Sequence, residues 1–153
     1  MVTAEDIDAL LPQTQCTRCG YGGCRPYAEA LLAGTAPINQ CPPGGAATIG
    51  ALAALLQRPA LPLNPANGLE GPPLVAQIDE DACIGCARCL PPCPVDCIAM
   101  VPRASLADTP AAPTAHDNRE RFLAHNARSA ARARARDALL TARKQAARPV
   151  RGV

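Results

Sequence analysis

The chain has no tryptophan, one phenylalanine and two tyrosines in 153 residues, so the large rings that dominate protein cores are nearly missing. Its apolar content is mostly alanine and leucine, and a segment with so little to bury is marginal on its own. Long hydrophobic runs are missing too: the longest, around Ile49 to Leu56, falls far short of the roughly 20 residues needed to span a bilayer. The acidic N-terminus carries no charged-then-apolar leader, and nine cysteines is an odd number. Both features argue against secretion and a disulfide framework, and a reducing cytosol is the expected compartment. No motif suggests a substrate pocket or an acid–base pair, so no catalytic residue is assigned and enzymatic turnover is left undecided.

The formal charge of +2 hides a split. Residues 1–117 carry five basic and eleven acidic side chains, whereas residues 118–153 carry ten basic and two acidic. A body of −6 therefore precedes a tail of +8, the tail opposite in sign to everything before it.

What is abundant is cysteine in short spacings. Cys83-Ile-Gly-Cys86-Ala-Arg-Cys89-Leu-Pro-Pro-Cys93-Pro94 is the C-x2-C-x2-C-x3-C-P run by which bacterial ferredoxins hold iron–sulfur clusters. The x2 spacings let one loop wrap three thiolates around a corner of a cuboidal cluster, and Gly85 relieves the backbone where it bends. Four thiolates also suit tetrahedral zinc, but zinc sites usually pair two C-x2-C hooks across a longer spacer. Asp79, Glu80 and Asp81 beside the motif read as turn-forming acids, with steering of a basic partner as the alternative.

Cys16, Cys19, Cys24 and Cys41 form a second complete set, C-x2-C-x4-C-x16-C, with glycines at 20, 22 and 23. Those glycines predict tight turns that bring amide N–H groups toward cluster sulfurs, stabilising the reduced state. Zinc is the alternative here as well. Bound clusters are expected to supply much of the folding free energy, leaving the apo protein poorly ordered.

Around these ligands the pattern predicts an α+β chain. Thr3 to Asp6 reads as a capped helix start with Ile7, Leu10 and Leu11 on one face, closed by Pro12. A helix follows Cys24, with Pro26 in its first turn, Leu31 and Leu32 inward and Gly34 as its stop. A third, Ala46 to Gln57, places Ile49, Leu52 and Leu56 inward. Leu74 to Asp79 and Ile98 to Val101 are short strand candidates flanking the cysteine loop. The expected division is a helical [4Fe-4S] module over 1–58, a proline-rich linker over 59–73, and a half or compact ferredoxin-like module with antiparallel strands over 74–102. An Ala/Pro linker over 103–117 and an Arg/Ala-rich helical tail over 118–153 complete it. Whether the first linker lets the cluster modules move or holds them at a set distance is left open.

The run Ile7-Asp-Ala-Leu-Leu-Pro-Gln-Thr-Gln-Cys16, with Cys19-Gly-Tyr, Gly23-Cys24-Arg-Pro-Tyr-Ala-Glu-Ala30 and Ile38-Asn-Gln-Cys41-Pro-Pro-Gly-Gly45, closely resembles the B-type subunit of the Rnf/Rsx ion-translocating electron transport complex, over about residues 3 to 102. By that resemblance, Cys16, Cys19, Cys24 and Cys41 bind one [4Fe-4S] cluster, and a ferredoxin module behind it binds two. The implied partners are other subunits of a membrane redox complex and a soluble redox donor or acceptor. The implied location is the cytoplasm, peripheral at the cytoplasmic face of the inner membrane.

Two departures matter. The N-terminal hydrophobic anchor of many members is not present in this sequence, and one ferredoxin motif stands where two are usual. That motif looks composite: Asp79 to Cys86 is similar to the start of the family's first motif, and Cys93-Pro-Val-Asp-Cys97-Ile to the end of its second. In two-cluster ferredoxins the fourth cysteine ligates the other motif's cluster, so Cys93 has lost its usual one. Three arrangements follow. Cys93 or Cys97 completes a local cluster with Cys83, Cys86 and Cys89; two chains exchange Cys93; or three cysteines hold a labile cluster. The local cluster is the favoured expectation, with Cys97 read as a small buried residue rather than a ligand.

From Asn118 to Arg148 alanine and arginine predict a long helix. Arg128, Arg132 and Arg136 recur at i+4 with few acids to pair them. A solvated helix is the default reading; contact of residues 118–148 with anionic lipid or an acidic partner is the functional one. Nucleic acid ranks below these, since Phe122 alone offers a stacking platform. His116 and His125 are expected to face solvent. The functional reading is thus a single-electron carrier built on [4Fe-4S] clusters, against an iron–sulfur nucleic-acid-binding or redox-sensing regulator that uses the basic tail. A degenerate subunit keeping only its first cluster is a third.

Overall fold

Thr3 opens the first helix, α1 (Ala4–Ala9), as half of a capping box. Its hydroxyl accepts from the Asp6 N–H at 3.2 Å, while Asp6 accepts from the Thr3 N–H at 2.8 Å, so two orphan donors of the helix start are satisfied reciprocally. The computed structural model describes residues 1–86, 89, 93–106 and 112–146. The spacers at 87–88 and 90–92, the middle of the Ala/Pro linker, and the end of the tail with Arg148 lie outside the described residues.

α2 (Cys24–Leu32) and α3 (Gly45–Leu56) follow, and the three helices enclose one core. Its largest fully buried side chains are Tyr27, Ile7, Leu11, Leu31, Ile38 and Leu52, and Cys24 and Cys41 are buried among them. Tyr27 compensates for the shortage of aromatics by serving two ends. Its ring lies 5.4 Å from that of Tyr21, and its hydroxyl donates to Pro37 O at 2.8 Å and accepts from Gln40 N at 3.2 Å. That ties the loop before Cys41 to the helix that begins at Cys24. Leu32 departs from its expected inward position: it is 45 % exposed, because α2 buries the face of Tyr27, Ala28 and Leu31, and Leu32 lies one residue beyond it.

The proline-rich stretch after α3 does not leave the module at once. Asn39 Nδ2 donates to Pro62 O at 2.6 Å, Asn64 N to Asn39 O at 2.9 Å, and Asn67 Nδ2 to Arg18 O at 2.9 Å. Glu70 then accepts from Ala46 N at 3.0 Å and caps the start of α3, which has no side-chain cap of its own. Arg58 reaches back to the other end, donating to Leu31 O at 3.1 Å. Residues 58–70 thus strap the helical module.

β1 (Leu74–Ile78) and β2 (Ile98–Pro102) pair antiparallel, with Val75 opposite Val101 and Ile78 opposite Ile98. This two-stranded ribbon buries little, and Leu74, Ile78 and Met100 are about half exposed. The chain is α+β: a helical module, a hairpin module, and α4 (Ala115–Ala146). α4 starts three residues before the expected Asn118 because Thr114 and Asp117 form a second capping box, with Thr114 N donating to Asp117 at 2.8 Å and Asp117 N to Thr114 Oγ1 at 3.2 Å. Its charged flank is exposed, His116 and His125 included. Its first turn is tied down: Asn118 Nδ2 donates to Pro12 O at 3.1 Å, and Arg119 pairs with the buried Asp8. No helix among the described residues is long and apolar enough to cross a membrane.

Candidate iron–sulfur sites

The first cysteine set spans the loop between α1 and α3. Cys16 is exposed and Cys19 half-buried, whereas Cys24 at the start of α2 and Cys41 before α3 lie in the core. Burial raises the Cys24 thiol, which also feels the charges of Asp8 and Cys16, while backbone amides of Gln15 and Gln13 act the other way. Cys41 is pushed up to about 11 by burial and by the charges of Cys24, Cys16 and Cys19, against the amide of Gly44. All four sulfurs therefore share one electrostatic neighbourhood. Two buried thiols that resist deprotonation alone, those of Cys24 and Cys41, suit a cationic iron core, which supplies the compensating charge.

The glycines and glutamines of this loop take unusual backbone conformations. Gly20 does adopt a left-handed φ of +88°. Gly23 has a different reason to be bare: a Cβ there would lie 2.7 Å from Gln15 Oε1. The amides acting on Cys24 are those of Gln13 and Gln15, and the one acting on Cys41 is that of Gly44. Gln13, Gln15 and Thr17 all hold positive φ, at 56°, 51° and 59°, a conformation that costs about 1–3 kcal/mol for a residue with a side chain. The return is visible in the side chains, for Gln13 and Gln15 turn inward and Gln15 Oε1 accepts from Cys24 N at 2.9 Å.

The second set rings one cavity of about 240 Å³, lined by Cys83, Cys86, Cys89, Cys93 and Cys97 with Ile78, Val95 and Ile98 as apolar walls. The loop bends at Gly85, whose φ of +66° is the turn the motif requires. Asp79 makes that loop's start: its carboxylate accepts from Asp81 N at 3.2 Å, and its own N–H donates to Cys97 O at 2.8 Å. The acidic trio is thus tied into the turn.

Cys97 is buried, as expected, and it also lines the cavity, where the alternative of a fourth ligand would put it. Its sulfur lies 3.4 Å from that of Cys93. Amides of Val95 and Cys97 hold the Cys93 thiol below its ordinary value, while the neighbouring Cys93, burial and Cys83 push Cys97 up to about 12. Among the described residues no three such side chains already converge on one metal ion; the thiols surround a space. A five-thiol apolar pocket fits an iron–sulfur cluster by the chemistry of its donors and by its apolar lining.

Known protein families agree with this division. The family model described as "Putative Fe-S cluster" matches residues 11–43, and the one described as "4Fe-4S binding domain" matches residues 76–99. The chain is an iron–sulfur protein with [4Fe-4S]-type binding modules. It is 59% identical over 97 residues to the B-type subunit of the ion-translocating oxidoreductase complex of Alkalilimnicola ehrlichii, covering 62% of this chain and 52% of that one. The corresponding subunit of an Azoarcus species is 57% identical over 94 residues (61% and 51%), and that of Pseudomonas aeruginosa 60% over 95 residues (62% and 49%). Over the matched residues the chain is similar to B-type subunits of ion-translocating oxidoreductase complexes. It spans about half the length of the curated relatives it matches. No solved structure matches it significantly.

Proposed function

We propose that this chain is an electron-transfer subunit that relays single electrons through [4Fe-4S] clusters to or within a membrane-associated ion-translocating redox complex. The observation that supports the proposal is that Cys24 and Cys41 lie in the core of the helical module with Cys19 packed against it and Cys16 exposed in the same loop, while the other five cysteines line one apolar cavity. In this reading Cys16, Cys19, Cys24 and Cys41 hold the first cluster. Cys83, Cys86 and Cys89 hold the second, with Cys93 or Cys97 as its fourth ligand. The proposed modules are 1–58 and 74–102, with 59–73 and 103–117 between and after them and 118–153 as the tail.

A bound [4Fe-4S] cluster accepts and releases one electron without moving an atom far. The chain's own share is environmental. Ile78, Val95 and Ile98 give the second site an apolar lining, amides of Gln13, Gln15 and Gly44 favour added negative charge at the first, and exposed Cys16 marks the side open to a partner.

The tail supplies the proposed membrane contact at the cytoplasmic face. Arg121, Arg128, Arg132, Arg136 and Arg143 recur at spacings of 7, 4, 4 and 7, which keeps them on one face of α4. All five are exposed. A row of guanidiniums fits the phosphates of anionic lipid. Other subunits and a soluble redox donor or acceptor remain the proposed protein partners.

Redox titration of the anaerobically loaded chain tests the central reading, with a reversible low-potential one-electron couple as the expected result. Steeply salt-dependent binding to nucleic acid, without such a couple, would favour the regulatory alternative.

A further inference from the structure

We propose that Arg119 tunes the first cluster's reduction potential by neutralising Asp8 at the far end of a hydrogen-bonded side-chain relay that runs to Cys24. The inference rests on the cluster assignment for Cys16, Cys19, Cys24 and Cys41, and it gives the basic tail a role in the redox site itself.

The relay is continuous. Arg119 Nη2 donates to Asp8 Oδ2. Gln13 Nε2 donates to the other carboxylate oxygen, Asp8 Oδ1, at 2.9 Å and to Asp8 O at 2.6 Å. Gln15 Nε2 donates to Gln13 Oε1 at 3.0 Å, and Cys24 N donates to Gln15 Oε1 at 2.9 Å. The two ends fix its direction. A backbone N–H can only donate and an ionised carboxylate can only accept, so both glutamine amides have one orientation that satisfies the line.

The relay is also enclosed. Asp8 is 4 % exposed and Gln13 5 %, and the Arg119 side chain is 28 % exposed where it closes over them. Only the two glutamine side chains separate the Asp8 carboxylate from the Cys24 backbone. A buried anion at that range opposes the arrival of an electron, because each added negative charge repels it through a weakly screening interior. Arg119 cancels that charge. It comes from a helix 111 residues further along the chain, outside the cysteine motifs altogether.

The test is a double-substitution cycle on the full chain, anaerobically loaded, with iron and sulfide counted first and each couple followed by electron paramagnetic resonance. Arg119→Gln leaves Asp8 uncompensated and is expected to lower the first cluster's potential by an amount equal to about a tenfold change in the oxidised-to-reduced ratio, about 59 mV for one electron. Asp8→Asn leaves Arg119 uncompensated and is expected to raise it. The double variant should return near the parent value, and Arg119→Lys should stay close to it. The second couple, at Cys83 to Cys97, is the internal control and should not move.

A merely structural role for Arg119 would lower iron content or stability without shifts of opposite sign. Should Arg119→Gln fail to fold, Asp8→Asn decides, since its amide keeps an acceptor for Gln13. Loaded variants whose first-cluster potentials coincide with the parent, or a common shift of both couples, overturn the inference. A parent chain that binds no cluster at Cys16 to Cys41 overturns the cluster assignment instead.

Discussion

The sulfur atoms of Cys93 and Cys97 lie 3.4 Å apart on the wall of one cavity, so the last cysteine of the ferredoxin motif and the cysteine four residues later serve the same space. Cys83, Cys86 and Cys89 line the same cavity, so under the proposed assignment five thiols surround a site that needs four, and one member of the pair is dispensable. Cys93→Ser and Cys97→Ser are each expected to keep the second cluster, whereas the double variant should lose about four irons per chain, as read by iron and sulfide analysis. Loss of the cluster in one single variant alone would identify that cysteine as the sole fourth ligand.

Cluster removal should affect the two modules unequally. The helical module has a core built on Tyr27, Ile7, Leu31 and Leu52, while the hairpin leaves Leu74, Ile78 and Met100 about half exposed. Chelation of iron is expected to abolish amide protection in Leu74–Ile78 and Ile98–Pro102 while part of that in Cys24–Leu32 persists, measured by hydrogen exchange. Equal loss in both would mean that the helical core depends on its metal as fully as the hairpin does.

Much of this arrangement is legible in the sequence. Cysteine spacing locates both sites, period-3.6 apolar patterns locate α2 and α3, and short apolar runs locate both strands. What is not legible depends on contacts distant in the chain. Nothing local marks Glu70 as the cap of α3 or Arg119 as the partner of Asp8. Gln13 and Gln15 carry no signal of their own, since positive φ at a glutamine leaves no trace in composition. Leu32 departs from the expected pattern because it lies about 100° around α2 from Leu31, beyond the face that Tyr27, Ala28 and Leu31 bury.

Tyr27→Phe removes one hydroxyl that satisfies two backbone groups, Pro37 O and Gln40 N. Leaving partly buried partners unpaired costs about 1–3 kcal/mol. In a module of this size that corresponds to roughly 4–8 °C of melting temperature per kcal/mol. Thermal unfolding of the loaded chain checks it, and an unchanged midpoint would mean that water replaces the hydroxyl.

Helix α4 should respond to acid at its first turn. Two hydrogen bonds from Thr114, donated by its amide and its hydroxyl, hold the Asp117 carboxyl below its ordinary value of 3.8. Because the folded-state value is depressed, the stabilisation is full above the unfolded value and is lost as pH falls through the folded one. Circular dichroism should therefore show helix lost below about pH 4. Asp117→Asn is expected to flatten that dependence, and an identical acid transition in the variant would assign it to other carboxyls.

Two occupied cysteine sites in one short chain are the central claim. Iron and acid-labile sulfide per chain, measured on anaerobically prepared protein together with its molar mass, should give about eight of each on a monomer. About four of each would contradict it, leaving the five cysteines around the second cavity without a stable cluster. Eight on a dimer alone would mean that the second cluster is completed by Cys93 from a neighbouring chain.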